Sequence, residues 1–190
     1  MTTGQLTKND QEILLKIARD AIVSSTRGES PAEILLSSLP APLQEQRASF
    51  VTLTINGRLR GCIGTLEAYQ PLANDVQEHA LAAAFRDHRF SPVQPEECSK
   101  ITIGISVLTP KTLLHYDGPQ DLIEKLQPRV DGVVLQDGSK KATFLPQVWD
   151  QLPEPAEFLT HLCIKMGASG DLWRKKSLQV FTYQVQEFHE

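Results

Sequence analysis

Cysteine is scarce in this chain, and its few cysteines lie far apart. The 190 residues contain three, Cys62, Cys98 and Cys163. An odd number of widely separated thiols supplies neither a disulfide framework nor the close pairs of a zinc site. None of the five histidines is spaced from another as metal ligands are. We therefore predict no metal site and a reducing, cytoplasmic environment.

The chain also lacks the short motifs that mark several large classes of protein. It contains no Gly-x-x-x-x-Gly-Lys phosphate loop, no Gly-x-Gly-x-x-Gly and no His-Glu-x-x-His. The sequence therefore gives no motif evidence for nucleotide hydrolysis, Rossmann-type cofactor binding or zinc-dependent hydrolysis. No particular cofactor is indicated. No run approaches the roughly 18 apolar residues of a membrane span, and no apolar segment follows Met1. We expect a soluble protein without a membrane partner.

Charge and length limit the partners and the number of domains. The formal net charge is −4 and the isoelectric point is about 5.7. Because binding to nucleic acids depends on a basic surface, RNA is not favoured as the main partner, although basic clusters at residues 140–141 and 174–176 keep it open. With 41% hydrophobic residues, the chain is long enough for one substantial core. We predict a single domain over residues 1–190, with two lobes whose boundaries the sequence does not give.

Hydrophobic periodicity predicts a mixture of helices and hairpin-linked strands. Thr7 and Asp10 form a capping box, and apolar residues at helical spacing follow it, which predicts a helix over residues 8–23. Further helices are predicted over residues 71–86, 119–127 and 155–166, and residues 24–47 are predicted to be a connecting arm, in which residues 32–38 are compatible with a short helix. Strands are predicted on either side of Asn56-Gly57 and of Asp137-Gly138, and over residues 101–108 and 178–188. Hairpins with unevenly spaced helices indicate an α+β fold, with a mainly antiparallel sheet and flanking helices.

Residues 59–65, with the sequence LRGCIGT, place a thiol, a guanidinium and two glycines in one short stretch. Gly61 and Gly64 bracket Cys62, the one cysteine beside a fixed positive charge, that of Arg60. A buried strand has no need of this combination, which points to a functional site. The alternative is that Cys62 is a small core residue and that the glycines mark a bulge and a close packing contact.

The register of the hairpin at residues 56–57 decides which way these side chains point. In a two-residue turn, Arg60 lies on the face of Leu53 and mixes charge with the apolar core. In a three-residue loop with Gly57 as a bulge, polar and apolar residues separate onto opposite faces, and we prefer this register. The residues that it places away from the core are Thr52, Thr54, Arg60 and Cys62, and those on the core face are Leu59 and Ile63.

The stretch LRGCIGT resembles the signature of the AMMECR-one (AMMECR1) domain family. The stretches that agree with the family's pattern, in order, are residues 87–92, 131–133, 142–148, 162–165 and 167–173. The resemblance runs from about Phe50 to the end of the chain and so covers most of it. It implies an α+β fold with two lobes around a cleft, and it defines no activity.

The resemblance also implies partners. Members of the family are expected beside a Memo-type protein and a radical-SAM enzyme in bacteria and archaea, so these two proteins are candidate partners. The chain departs from the family at Gly104, where several members carry a glutamate. His88 falls at a position that the family fills variably, which weakens any role for it.

Two kinds of function fit these residues. The first is an accessory module that binds a small anion or a partner in the cleft between the lobes, and we favour it because no complete catalytic set is present. The second is an enzyme that uses a cysteine or acid–base groups to modify RNA or a small metabolite. For the second, Arg60 favours the thiolate of Cys62, and His88 is the only histidine within a matching motif that is available as its base.

An anion site is predicted from Arg60 and Arg89, since guanidinium groups bind carboxylate or phosphate through two parallel hydrogen bonds. The alternative for Asp87 and Arg89 is a salt bridge that ties the end of a helix to its neighbour. Thr143 is included only because it lies in a matching motif. The predicted binding residues are Arg60, Gly61, Gly64, Thr65, Asp87, Arg89 and Thr143, with Cys62 as the candidate catalytic residue.

Overall fold

The computed structural model describes residues 5–190, which divide into two units. The first unit comprises the described residues up to Thr109 together with Gln186–Glu190, and the second is Pro110–Val185. Each unit contains one four-stranded sheet. Because helices and hairpin-linked antiparallel strands share the chain, the α+β prediction is confirmed.

The secondary structure elements follow in chain order. The helices are α1 (Lys8–Thr26), α2 (Ala41–Gln44), α3 (Leu72–Phe85), α4 (Gly118–Lys125), α5 (Pro155–Lys165) and α6 (Leu172–Lys175). The strands are β1 (Ser49–Ile55), β2 (Arg58–Gly64), β3 (Ile101–Leu108), β4 (Thr112–Leu113), β5 (Gly132–Asp137), β6 (Lys140–Phe144), β7 (Gln179–Tyr183) and β8 (Val185–His189). Short 3-10 helices cover Leu36–Ser38, Pro95–Glu97 and Pro146–Asp150. None of the helices in residues 5–190 is long and apolar enough to cross a bilayer.

Two helices cover one face of the sheet in the first unit. Helix α1 begins with the predicted capping box, in which Thr7 and Asp10 each accept a hydrogen bond from the other's backbone N–H. Its buried residues Leu14, Ala18 and Ile22 recur every four positions and therefore lie on one face. Helix α1 packs on α3, and α3 packs on β1 and β2.

The sheet of the first unit has the strand order β2-β1-β3-β8, so β2 lies at an edge. Strand β1 carries Val51 and Leu53 on the core face, and both are fully buried. On the opposite face, Thr52 pairs with Gly104 and Thr54 with Thr102 of β3. The alternation of apolar and polar residues in β1 thus predicted its two faces correctly.

The turn between β1 and β2 differs from the prediction. Asn56 and Gly57 both have positive φ, 52° and 72°, and Ile55 lies opposite Arg58, which is a two-residue turn rather than the predicted three-residue loop. Two positive φ values suit a type I′ turn, whose twist matches that of the flanking strands. The extra residue lies further along β2 instead, at Arg60.

A β-bulge at Arg60 restores the predicted position of Cys62. The register shifts between the pairs Leu53–Gly61 and Thr54–Leu59, and Cys62 then lies opposite Thr52. Ile63 lies opposite Val51, on the core face as predicted. Leu59 lies opposite Thr54 and therefore on the polar face, so its predicted placement was wrong because the bulge follows it.

The second unit has its own sheet and core. The strand order is β4-β7-β5-β6, and the predicted hairpin joins β5 to β6. The indole ring of Trp149 stacks on Phe158 with ring centroids 3.7 Å apart. Helix α5 begins at Pro155, as predicted, and Gly167, with φ of 75°, follows its end.

One prediction about the chain's path was wrong. The strand predicted over residues 178–188 is two strands, β7 and β8, which belong to different sheets. An alternating pattern indicates extended chain but does not show where the chain passes from one sheet to another. The predicted connecting arm contains a 3-10 turn at Leu36–Ser38, within the stretch compatible with a short helix, and then α2.

Candidate functional site

Gly61 is required by the packing of β2 on α3. A Cβ atom at this position would lie 2.2 Å from the backbone oxygen of Ala83. The oxygen of Ala83 belongs to the backbone of α3 and cannot move aside as a flexible side chain does, so the strand and helix approach this closely only with glycine. Gly61 has no positive φ, and its need is steric.

Gly64 is also required by close packing. Its Cβ would lie 2.3 Å from the ring of Phe50 and 2.4 Å from the backbone oxygen of Ser49. Both signature glycines therefore serve close contacts within the first unit. The packing alternative from the sequence explains them without a ligand.

Cys62 is held by three hydrogen bonds. The hydroxyl of Thr52 donates to its Sγ at 3.2 Å. Its backbone N–H donates to Oδ2 of Asp87 at 2.9 Å, and its carbonyl oxygen accepts from Nη2 of Arg89 at 3.2 Å. The residue is half-buried and lies opposite Thr52, so its thiol group belongs to the polar face of the sheet rather than to the core.

The predicted base is not assembled beside this thiol. His88 is exposed, and among the described residues the hydrogen bond recorded for the thiol of Cys62 comes from Thr52. A threonine hydroxyl does not act as a general base near neutral pH, whereas cysteine catalysis usually relies on an oriented histidine. The arrangement thus lacks one part of a cysteine nucleophile.

Asp87 and Arg89 form a bidentate ion pair. Nε of Arg89 lies 2.9 Å from Oδ1 of Asp87, and Nη2 lies 2.7 Å from Oδ2. The carboxylate is almost fully buried, while the guanidinium is about half exposed. The hydrogen bonds from Arg89 and from the backbone of Cys62 hold the pKa of Asp87 well below its usual range.

This ion pair caps the edge of the sheet. Because β2 is an edge strand, the backbone N–H and C=O of Cys62 that face away from β1 need partners. The carboxylate of Asp87 accepts from the first, and the guanidinium of Arg89 donates to the second. The ion pair thus satisfies the backbone hydrogen bonds of Cys62 that a neighbouring strand would otherwise satisfy. This supports the salt-bridge alternative given by the sequence.

Arg60 is also paired with a carboxylate of its own. Its Nε and Nη2 lie 2.8 and 3.0 Å from the two oxygens of Glu97, and this contact lowers the pKa of Glu97. Its Nη1 is enclosed and has no hydrogen-bond partner. Arg60 and Arg89 thus each bind a separate carboxylate, and their convergence on one external anion stays a prediction.

The two predicted threonines use their hydroxyls locally. Thr65 accepts a hydrogen bond from the backbone N–H of Glu67 at 3.1 Å, and its own N–H donates to Ser49. Thr143 belongs to the second unit, where its hydroxyl donates to the carbonyl of Val133 at 2.9 Å and lies 3.0 Å from the hydroxyl of Tyr183. Both residues therefore have a structural role within their own unit.

The hairpin tip carries a pocket that the sequence did not predict. Its volume is about 570 Å³, and its lining residues are Ile55, Asn56, Arg58, Leu59 and Arg60. Arg58 is exposed and forms no ion pair within residues 5–190, and Leu59 is 45% exposed. A leucine between two arginines was the available signal in the sequence, but the assumed register placed Leu59 in the core. Residues 5–190 contain no cluster of side chains that could hold a metal ion.

Comparisons with known proteins agree on one family. A family model described as AMMECR1 matches residues 15–188. A protein of Methanothermobacter thermautotrophicus is 37% identical over 100% of this chain and 99% of its own length. A protein of Methanopyrus kandleri is 36% identical over 98% of this chain and 91% of its own. The crystal structure of an uncharacterized protein from Pyrococcus horikoshii superimposes with a TM-score of 0.81, at 31% identity, covering 94% of this chain and 90% of that one.

Proposed function

This chain belongs to the AMMECR1 family, and we propose that it is an accessory binding module whose ligand is a small anion with an apolar group. The site is the pocket at the β1–β2 hairpin, beside the bulge in the signature strand. The anion contacts the guanidinium of Arg58, and its apolar part contacts Ile55 and Leu59.

The observation that carries this proposal is the chemistry of the pocket lining. Arg58 is exposed and unpaired within the described chain, so its guanidinium is available to an external carboxylate or phosphate. Leu59 exposes an apolar side chain next to it. A concave site that joins apolar surface with a few charged donors is typical of small-molecule binding.

Binding is favoured over catalysis because the signature residues are occupied structurally. Arg60, Asp87 and Arg89 are committed to ion pairs, and Cys62 has a hydroxyl rather than a base beside its sulfur. The partners that we propose are those implied by the family, a Memo-type protein and a radical-SAM enzyme. A module that holds a ligand for such enzymes needs no nucleophile of its own.

The proposal is tested by titration with hexanoate, a carboxylate with a short aliphatic tail. We expect hexanoate to shift the backbone amide resonances of residues 55–60 in two-dimensional NMR spectra, with weaker binding at higher salt. Arg58→Gln should weaken hexanoate binding roughly tenfold, because a hydrogen bond to a charged group contributes about 1.5 kcal/mol or more.

Controls separate this pocket from general anion binding. Acetate lacks the tail and neutral hexanol lacks the charge, so each should bind more weakly than hexanoate. Arg27→Gln removes an exposed arginine at the end of α1 and should leave the titration unchanged. Equal effects of Arg27→Gln and Arg58→Gln, or shifts spread evenly over the chain, would exclude the pocket.

The alternative is an enzyme in which Cys62 modifies RNA or a small metabolite. The observation in its favour is the position of the thiol on the polar face of the sheet, where the hydroxyl of Thr52 donates a hydrogen bond to Sγ and orients it. This function requires a thiol that reacts readily near neutral pH.

Alkylation by iodoacetamide distinguishes the two functions. Cys98 is also half-buried and serves as an internal reference for mass spectrometry of the alkylated peptides. We expect Cys62 to react no faster than Cys98 at pH 7, and Cys62→Ser to lose about 1 kcal/mol of stability because a half-buried hydroxyl replaces the thiol. Alkylation of Cys62 ten times faster than Cys98, with a fully stable serine variant, would favour the enzyme.

A further inference from the structure

Arg47 is a buried arginine whose guanidinium is not satisfied. The residue is 3% exposed, just before β1 in the first unit. Its Nε and Nη1 are enclosed and have no hydrogen-bond partner. Glu45 acts on it electrostatically, but that residue is exposed and forms no recorded ion pair with it among the described residues.

Such a group is costly to a folded protein. A charge removed from water without a partner loses its hydration and gains nothing in return. Burial accordingly lowers the pKa of Arg47 from its ordinary value. An arginine in a connecting segment normally extends its long side chain to the surface, where no such cost arises.

The backbone around Arg47 is fixed on both sides. The carbonyl of Glu45 accepts from the N–H of Leu72, and the carbonyl of Ala48 accepts from the N–H of Leu108, each at 2.9 Å. The carbonyl of Ser49 accepts from Thr65, at the end of the signature stretch. The segment is therefore held between three parts of the first unit, and the unsatisfied side chain is not the result of a loose loop.

The surface lies close by. Residues 44–46 are exposed, and the chain returns to the interior at Arg47. Nη2 is not among the enclosed, unpaired atoms. Each fork of a guanidinium joins Nη2 to either Nε or Nη1, so an oxyanion that binds at Nη2 satisfies one of the two orphaned nitrogens when the side chain shifts to expose it.

We infer that Arg47 is a binding site for a small oxyanion, a carboxylate or a phosphate, separate from the hairpin pocket. The bound oxyanion supplies the negative charge and the acceptors that the protein itself does not. Fork-like geometry explains why an arginine occupies the position, since a lysine offers a single point charge.

The test is thermal unfolding of the full chain with increasing inorganic phosphate, at constant ionic strength set by sodium chloride. Wild type should gain about 3–6 °C in Tm when phosphate exceeds its dissociation constant tenfold. Arg47→Met keeps an unbranched but shorter side chain without the charge, and it should show no phosphate-dependent gain. Without phosphate it should melt at or above the wild-type temperature, because an unpaired buried charge has been replaced by an apolar group.

Arg27→Met removes an exposed arginine and should keep the full phosphate-dependent gain. If Arg47→Met does not fold, Arg47→Lys retains the charge without the fork and should lose at least half of the gain. Acetate in place of phosphate separates a carboxylate site from a phosphate site. The inference is overturned if neither oxyanion raises the Tm of wild type beyond chloride, or if the folded Arg47 variants gain as much as wild type.

Discussion

Gly61→Ala is expected to destabilise the protein by about 3 kcal/mol, the upper end of the usual cost of overpacking. The added Cβ would lie 2.2 Å from the backbone oxygen of Ala83, so β2 and α3 must separate to admit it. Separation disturbs the interface that buries the core side of the signature strand. Urea unfolding followed by circular dichroism measures the loss as a lower midpoint at an unchanged slope.

Gly104→Ala is the matched control. This glycine lies in β3, two strands away in the same sheet, and the nearest atom to its Cβ is 3.9 Å away. It has no positive φ, so alanine fits its backbone. We expect a change within about 0.5 kcal/mol, as for a substitution without a new contact. If both variants lose the same stability, the close approach of β2 and α3 is not what requires Gly61.

The sequence predicted those features of the fold that depend on neighbouring residues. The capping box of Thr7 and Asp10 marked the start of α1, and Pro155 marked the start of α5. The alternation in β1 identified the face that packs on the helices. In each case the signal lies within one or two turns of helix or one strand, so the chain's later path does not alter it.

Features that depend on the register of strand pairing, or on the passage of the chain between sheets, were not predicted. A bulge at Arg60 and a two-residue turn at residues 56–57 leave Cys62 on the same face as the predicted register did, so the pattern alone did not distinguish the two arrangements for that residue. Leu59 does distinguish them, and there the prediction was wrong. The passage from β7 to β8 carries no change of pattern at Gln184.

In the candidate site, too, the local features were predicted and the features that depend on remote partners were not. The sequence singled out residues 59–65 by their composition, but the roles of these residues depend on partners elsewhere in the chain. Glu97, which pairs with Arg60, is 37 residues away, and Asp87 is 25 residues from Cys62. Burial of Arg47 had no sequence signal, because an arginine in a proline-containing connection is typical of exposed chain.

Asp87→Asn is expected to cost about 2–3 kcal/mol, as for the loss of a buried, charged hydrogen-bond acceptor. The amide keeps the shape of the carboxylate, but its NH₂ group is a donor. It must face either the guanidinium of Arg89 or the N–H of Cys62, which are also donors, so one hydrogen bond is lost. The effect stays below that of a fully buried ion pair because Arg89 is 48% exposed. Urea unfolding at pH 7 measures it.

The pH dependence of this variant follows from the lowered pKa of Asp87. In the unfolded chain the carboxyl titrates near its ordinary value, about 3.9, and in the folded protein it titrates lower. Folding therefore gains stability from Asp87 above about pH 4, and that gain is lost as the pH falls towards the folded pKa. The difference in unfolding free energy between wild type and Asp87→Asn should be constant from about pH 5 to 8 and should narrow below about pH 4.

Asp20→Asn is the control for this effect. Asp20 pairs with Lys16 on the exposed surface of α1, where its side chain is 59% exposed, and its loss should change stability by no more than about 0.5 kcal/mol. Other carboxyl groups titrate in both proteins and cancel in the difference, so a narrowing gap in acid reports on Asp87 alone. A gap that stays constant down to pH 3 would show that the asparagine disturbs packing rather than the ion pair. A narrowing gap would instead establish that the charge of Asp87, with Arg89, closes the edge of the sheet at Cys62.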